Sequence, residues 1–346
     1  MKLFTSLVQW ALFGAALVPG AAAAATSLDT YVLTAAGNSM FGAGSGPFSC
    51  STFAPDAGAA LFGRTYQLSL PTDGSICGVG GDTRTVHGTA GTVQAVATLG
   101  VGFGPSTDPR TFTGNAKARA GYGDLGVQAV AAYTGTSDSS LVVGSQAGAR
   151  QVDALTFHGG TGAGIYRASV TVDGSLFGVG RTDSEIEFGY WVGTGPTRMA
   201  FRITNSRGVV SLYANGGFQS ALPGMTTTGA LAEGFTVAGA TTFSFDIPIV
   251  FGEAQDIGFS LWAAHLPSSN VGLLTPSGGD ASFFSSAKLT GIEVFDSSGH
   301  AVPGFSVTSS SGTLYGAGGV TAVPEPATAL MWGAGGLLLF ARRRRT

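Results

Sequence analysis

Three separate stretches of this chain alternate apolar and polar residues with a period of two, a pattern that fits a strand with one buried face and does not fit a helix. Phe243, Phe245, Ile247 and Ile249 alternate with Thr242, Ser244, Asp246 and Pro248. Met199, Phe201 and Ile203 alternate with Arg198, Ala200, Arg202 and Thr204, and Ile186, Phe188, Tyr190 and Val192 with Glu185, Glu187, Gly189 and Trp191. Turn signals punctuate such runs: Asp73-Gly74, Asp173-Gly174, Gly195-Pro196, Asn215-Gly216, Ser277-Gly278 ahead of Phe283-Phe284, and Asp296-Ser297-Ser298-Gly299. The expected fold is therefore all-β, an antiparallel, jelly-roll-like β-sandwich. Composition agrees, because 56 of 346 residues are glycine and only 11% are charged, against about 25% charged in an ordinary soluble domain. Disorder is excluded by 44% hydrophobic residues with 23 Phe, and collagen by only 14 Pro without a Gly-X-Y period.

Both ends differ from the body. Lys2 precedes an apolar stretch from Leu7 to Val18, a Pro19-Gly20 breaker and the run Ala21 to Ala25. This predicts a signal peptide over residues 1–25, cleaved after Ala23, Ala24 or Ala25, since the apolar core is too short to span a bilayer and ends in small residues. At the other end, Val323-Pro324-Glu325-Pro326 leads into an apolar run over 327–341 and then Arg342, Arg343, Arg344 and Arg345. The run has 15 residues, and as a helix it would reach about 22 Å, short of a ~30 Å hydrocarbon core. The arginines act as a basic stop on the cytoplasmic side, so export through the leader leaves the body outside.

The tail from Val323 through Thr328, with Leu330, Met331, Trp332, Gly333, the stretch Gly335 to Leu339 and the arginine cluster, resembles the PEP-CTERM sorting tail of exported Gram-negative proteins. The resemblance covers about the last 25 residues. It implies recognition and processing by a membrane-embedded exosortase, and a place at the cell envelope, cell surface or extracellular matrix of a cell that makes exopolysaccharide. The implied partners are the Sec export machinery, the exosortase and exopolysaccharide, with membrane contact through the C-terminal segment before processing. The organisation is then a leader over 1–25, a β-sandwich body over 26–320, as one large sandwich or two similar lobes, and a tail over 321–346.

Without Lys2 and the four terminal arginines 12 basic residues remain, and without Glu325 19 acidic ones, so the body carries a net charge of -7. Its only lysines are Lys117 and Lys288, which leaves no basic stripe for nucleic acid. Cys50 and Cys77, the only cysteines, are expected to form a disulfide in an oxidising compartment. Such a bridge would stabilise the fold by roughly 3 to 4 kcal/mol on the chain-entropy account. Their spacing does not make a zinc site, and neither a metal nor a cofactor is expected.

Tyr66, Ser69, Asp73-Gly74-Ser75 and Gly78-Val79-Gly80 recur 100 positions later as Tyr166, Ser169, Asp173-Gly174-Ser175 and Gly178-Val179-Gly180. Two equivalent hairpins with Asp-Gly turns explain this better than paired calcium loops, because each unit carries one carboxylate. Gly121, Gly123 and Gly126 satisfy the G-x-G-x-x-G spacing without the strand-to-helix setting that dinucleotide binding needs. The Ala-rich alternation around Ala116, Ala118 and Ala120 is similar to strands in PEP-CTERM protein bodies and implies no chemistry.

No catalytic residues are assigned. There is no G-x-S-x-G or H-E-x-x-H, and His87, His158, His265 and His300 are widely spaced. Asp153 near His158 is the nearest approach to a serine-hydrolase pair, and Glu185 with Glu187 to a glycosidase pair. The candidate ligand site is the hairpin through Gly195-Pro196. It sets Trp191, Glu185 and Glu187 on the outer face beside Arg198 and Arg202 of the partner strand, an exposed indole with polar clamps suited to a pyranose. From it, Trp191, Arg202 and Glu187 are taken as the binding residues. The expected function is an exported, non-catalytic, exosortase-sorted surface or matrix protein associated with exopolysaccharide and biofilm; the alternative is a secreted polysaccharide-acting hydrolase.

Overall fold

The computed structural model describes residues 26–39, 52–53, 76–103, 106, 109–135, 141–180, 182–206, 209–214, 217–230, 234–267 and 277–321. Residues 1–25, the Pro-Glu-Pro signal, the apolar run over 327–341, the basic stop and Cys50 lie outside them, as does the side chain of Cys77. Among the described residues every regular element is a strand, and none is a helix that could cross a membrane.

In chain order the first strands are β1 (Ser27–Ser39), β2 (Thr52–Phe53), β3 (Ile76–Gly88), β4 (Thr92–Phe103), β5 (Arg110–Gly121), β6 (Asp124–Thr134) and β7 (Leu141–His158). They are followed by β8 (Ala163–Val179), β9 (Thr182–Val192), β10 (Arg198–Ser206), β11 (Val209–Ala214), β12 (Gly217–Gln219) and β13 (Met225–Ala230). The last are β14 (Gly234–Val250), β15 (Ala254–Pro267), β16 (Ser277–Asp296), β17 (Ser306–Ser309), β18 (Leu314–Gly316) and β19 (Gly319–Thr321). One sheet runs β12-β11-β10-β9-β15-β7-β1-β3-β2, with β17 also paired to β7, and the other runs β13-β14-β8-β16-β6-β5-β4. All pairings are antiparallel. Strands from the two halves of the chain interleave in both sheets, as in the neighbours β15, β7 and β1.

The two sheets stack over a main core whose filling changes from end to end, with a smaller cluster of Ala36, Phe112, Ala131, Tyr133 and Val143 beside it. Ala116, Ala118 and Ala120 of β5 and Ala129 of β6 share the main core with Ala147 and Ala149 of β7. Methyl groups hold sheets apart less than larger side chains, and Cα atoms of β5 and β6 come within 8 Å of β7, closer than the ~10 Å usual for stacked sheets. At the other end phenyl rings fill the gap: Phe201 lies 5.1 Å from Phe243, and Phe188 lies 5.5 Å from Phe243, centroid to centroid. The Ala-rich alternation thus lines one end of the sandwich and phenyl rings the other.

The alternating runs form strands as the sequence predicts, with three differences. Ala200 is buried while Met199 is only half-buried, because a bulge between Met199 and Phe201 shifts the register of β10 against β9. Asp173-Gly174 is not a turn, and neither is Ser277-Gly278, which opens β16 paired with Tyr133 and Ala132. Asp173-Gly174 lies inside β8, where Gly174 pairs with Gly239 and leaves room for the Phe283 ring, 2.6 Å from where a Cβ would stand. The third difference is that the face predicted to be wet is covered. Glu185, Glu187 and Trp191 are buried, as are Tyr31, Gln146 and Trp262 of neighbouring strands on the same side. Glycines 121, 123 and 126 belong to the β5–β6 hairpin, where Gly121 opposes Asp124 and Gly123 takes φ 75°.

The strand edge of β4 is shielded from the side by its chain neighbour β3. Asp82 of β3 accepts the Thr98 backbone N–H at 3.0 Å, a carboxylate standing in for a missing strand partner. At the C-terminal end, β17 continues the row of β1 along β7: Ser27 pairs with Val152, and Ser306 to Ser309 pair with His158 to Leu155. The β18–β19 hairpin then docks on β16, where the Ile292 N–H donates to the Ala317 carbonyl at 3.2 Å.

Candidate functional site

The β9–β10 hairpin forms as the sequence predicts, with residues 193–197 as its connection. Register then decides which side chains meet. Tyr31, Gly148, Trp262, Glu187, Arg202, Tyr213 and Phe218 stand opposite one another in turn across β1, β7, β15, β9, β10, β11 and β12. Because the pairing alternates faces, all of them lie on the side turned away from the other sheet. Tyr31 stacks on Trp262 at 6.1 Å, the Arg202 guanidinium sits 4.2 Å over the Tyr213 ring, and Phe218 packs edge-on to Tyr213.

Trp191, Arg202 and Glu187 therefore do share one face, yet the indole is not an open platform. Trp191 is 8% exposed, lies flat in the space left by Gly258 opposite it, and carries the Arg150 guanidinium 4.7 Å above its ring. Asp29 lies 3.9 Å from Arg150 and accepts or shares a hydrogen bond with His87 at 2.7 Å. Burial lowers the Arg150 pKa and Asp29 opposes that shift. The side chains around the indole are thus internal packing partners, and the expected exposed clamp is replaced by a buried charge–aromatic layer. Glu185 and Glu187 lie on that same buried face of β9, two residues apart.

Arg198 goes elsewhere. It is exposed on an open cleft of about 740 Å³ at the side of the sandwich, where β10 of one sheet approaches β14 of the other. Tyr190 and Phe245 stack at 4.3 Å in its wall, next to Met199 and Ala200. On the β14 side, Arg167 donates to both carboxylate oxygens of Asp246, at 2.7 and 2.9 Å. This pairing holds the Asp246 carboxyl below its ordinary pKa. Glu293 stands opposite Arg167 in the sheet, and Ser244 completes the polar rim. No sequence pattern joined these residues, because they come from β8, β9, β10, β14 and β16; simple alternation keeps Arg198 on the face of Arg202, and the bulge between Met199 and Phe201 moves it opposite Tyr190.

The approach of Asp153 to His158 that a serine-hydrolase pair would need does not occur. The residues are five apart on β7 and so face opposite sides; His158 Nε2 meets Thr308 Oγ1 at 2.6 Å. Asp153, 1% exposed, instead accepts Ser309 Oγ at 2.7 Å, Ser311 Oγ at 2.6 Å, Tyr315 OH at 2.8 Å and the Ser311 N–H at 3.1 Å. This carboxylate clamps the segment after β16 to the end of the sandwich, and burial beside it pushes the Tyr315 phenol well above its usual pKa. A second buried pair, Ser184 Oγ with His265 Nδ1 at 2.7 Å, lies wholly inside the core. Burial pushes the His265 pKa down to about 3, and its Nε2 has no hydrogen-bond partner among the described residues. A serine nucleophile needs access to substrate and a base that reaches it while the far nitrogen is oriented by a carboxylate; this pair is buried and, among the described residues, no carboxylate orients Nε2. Among the described residues no cluster of His, Cys, Asp and Glu is arranged to hold a metal.

Comparison with known proteins adds no relative: no family model, no curated protein and no solved structure matches this chain.

Proposed function

We propose that this chain is an exported, non-catalytic component of the cell surface or extracellular matrix, a jelly-roll-like sandwich delivered through its leader and sorted by an exosortase through its PEP-CTERM-like tail. The observation that carries the reading is the ordered combination in the tail: Val323, Pro324, Glu325 and Pro326, a short apolar run and four arginines, on a chain that opens with an export leader. The body supports it sterically. Its last strand, β19, ends at Thr321, two residues before Val323, and the Asp153 clamp ties the preceding segment down. The Pro-Glu-Pro signal a processing enzyme would read begins three residues after β19 in sequence. Association with exopolysaccharide belongs to the same reading and rests on that sorting context and on the polar, aromatic-lined cleft. The disulfide between Cys50 and Cys77 is part of the proposal for the oxidising side, and Thr52, two residues from Cys50, pairs with Cys77 in β2–β3.

The test is to express the full chain in exosortase-bearing and exosortase-lacking strains of one Gram-negative host and to measure intact mass in each cell fraction. Loss of the leader in both strains, and loss of the tail only where the exosortase is present, is the expected result. Substituting Pro324→Ala with Pro326→Ala should leave the tail attached. A tail retained in the exosortase-bearing strain would overturn the sorting assignment.

A further inference from the structure

The open cleft between β10 and β14, rather than the buried Trp191 face, has the features of a ligand site. We infer that it binds a segment of uncharged polysaccharide through Tyr190, Arg198 and the Arg167–Asp246 pair; the inference deepens the polysaccharide association proposed above. Its volume of about 740 Å³ falls within the roughly 300 to 1,000 Å³ typical of small-ligand sites. The wall combines what a pyranose presents. Tyr190 is half-buried, with its ring braced against Phe245 at 4.3 Å, so an apolar sugar face meets a surface that loses little side-chain entropy on binding. Around it stand donors and acceptors in alternation: the exposed Arg198, the Ser244 hydroxyl, Asp246 held in a fixed position by Arg167, and Glu293.

Charge narrows the ligand class. Two guanidinium groups and two carboxylates line the cleft, so their charges balance, and neither a phosphate nor a uronate-rich chain gains a net attraction. The backbone narrows it further. β13 pairs with β14 only from Gly234 to Gly239, so among the described residues 240–250 of β14 form an open sheet edge. A peptide could add to such an edge, but Pro248 removes one N–H there and the Arg167–Asp246 pair stands beside it, two devices that block strand addition. Side chains remain available where the backbone is guarded, which favours a glycan over an extended peptide.

The test uses the processed protein recovered from exosortase-bearing cells. Its binding to maltohexaose, cellohexaose and mannohexaose, to a galacturonate hexamer and to an unstructured peptide is measured by calorimetry. Retention on the producing strain's own polysaccharide is measured in affinity gels. Binding of at least one neutral hexaose is expected, weakened about tenfold or more by Arg198→Ala, as loss of a central polar contact does. Tyr190→Phe should preserve the fold and most of the stacking, whereas Tyr190→Ala should abolish binding. Failure of every neutral hexaose, preference for the galacturonate or the peptide, or binding indifferent to Arg198→Ala would each overturn the assignment. If Arg198→Ala leaves retention on the native polysaccharide intact, the cleft is refuted while the association stands; if the unaltered protein is not retained, the association itself fails.

Discussion

Replacing Asp153 with alanine should release the C-terminal segment and lower global stability by about 3 to 5 kcal/mol, a large share of the roughly 5 to 15 kcal/mol that holds a domain folded. The carboxylate is 1% exposed and accepts four hydrogen bonds, from Ser309, Ser311 twice and Tyr315. A bond to a charged acceptor is worth about 1.5 to 3 kcal/mol, and a buried donor left unpaired costs about 1 to 3. The sum is smaller than four such bonds because some donors have substitutes. Ser309 and Ser311 hydroxyls already meet at 2.7 Å, Ser311 also reaches Thr313 at 2.8 Å, and the Ser311 N–H lies 3.2 Å from Ser309 Oγ. The Tyr315 phenol has no second partner among the described hydrogen bonds, so it carries most of the penalty. The order of loss should be Asp153→Ala, then Asp153→Asn, which turns amide donors toward hydroxyl donors, then Tyr315→Phe at about 1 to 2 kcal/mol. Urea unfolding gives the totals, and hydrogen exchange over residues 306–321 separates local release from global unfolding. A loss under about 1 kcal/mol for Asp153→Ala, with exchange in that segment unchanged, would show that the clamp is not what holds the C-terminal hairpin.

Acid should destabilise the protein through His265. Its folded pKa is about 3 against an ordinary 6.5, so below pH 6.5 the unfolded chain takes up a proton that the folded core refuses. Stability is full above that value and falls, as pH drops toward 3, by up to about 1.4 kcal/mol per pH unit. His265→Asn should flatten that slope in urea titrations, whereas an unchanged slope would assign the acid sensitivity to other groups. Gly258→Ala should cost about 2 to 3 kcal/mol and change tryptophan fluorescence, because the new methyl would stand 2.0 Å from Trp191 ring atoms; retention of the native spectrum would contradict the close approach. Trp191→Ala should act by opening a cavity under Arg150, with a melting loss of about 3 kcal/mol or more, and should leave neutral-hexaose binding in the side cleft unaltered. Arg167→Ala should change stability by less than about 1 kcal/mol, since its bidentate bond to Asp246 is solvent-exposed; a several-fold larger loss in thermal melts would point to a wider network.

Much of the fold was legible because it depends on local order. Alternation at residues 185–192, 198–204 and 242–249 is a property of neighbours in the chain, and each stretch is a strand. Asp173-Gly174 misled because the same dipeptide serves a turn or a tight crossing, and only the Phe283 ring packed beside it distinguishes the two. The candidate site was half legible. Alternation along the predicted hairpin grouped Trp191, Glu185 and Glu187 with Arg198 and Arg202; in the structure Arg202 stands opposite Glu187, whereas Arg198 stands opposite Tyr190. What alternation cannot express is whether the polar face of a strand meets water, since that depends on what else the chain lays over it. Trp191 was therefore read as exposed and proves buried.

The sequence by itself determined the strand content, the parity of each face and the chemical character of the two ends, because all three are written in residues close together along the chain. Only the tertiary structure decided that Arg198 leaves the Trp191 face for a cleft with Arg167, Asp246 and Glu293, and that Asp153 pairs with serines and a tyrosine more than 150 positions away. The physical reason is that antiparallel strands from distant parts of the chain become neighbours through pairing order, and no local pattern encodes that order.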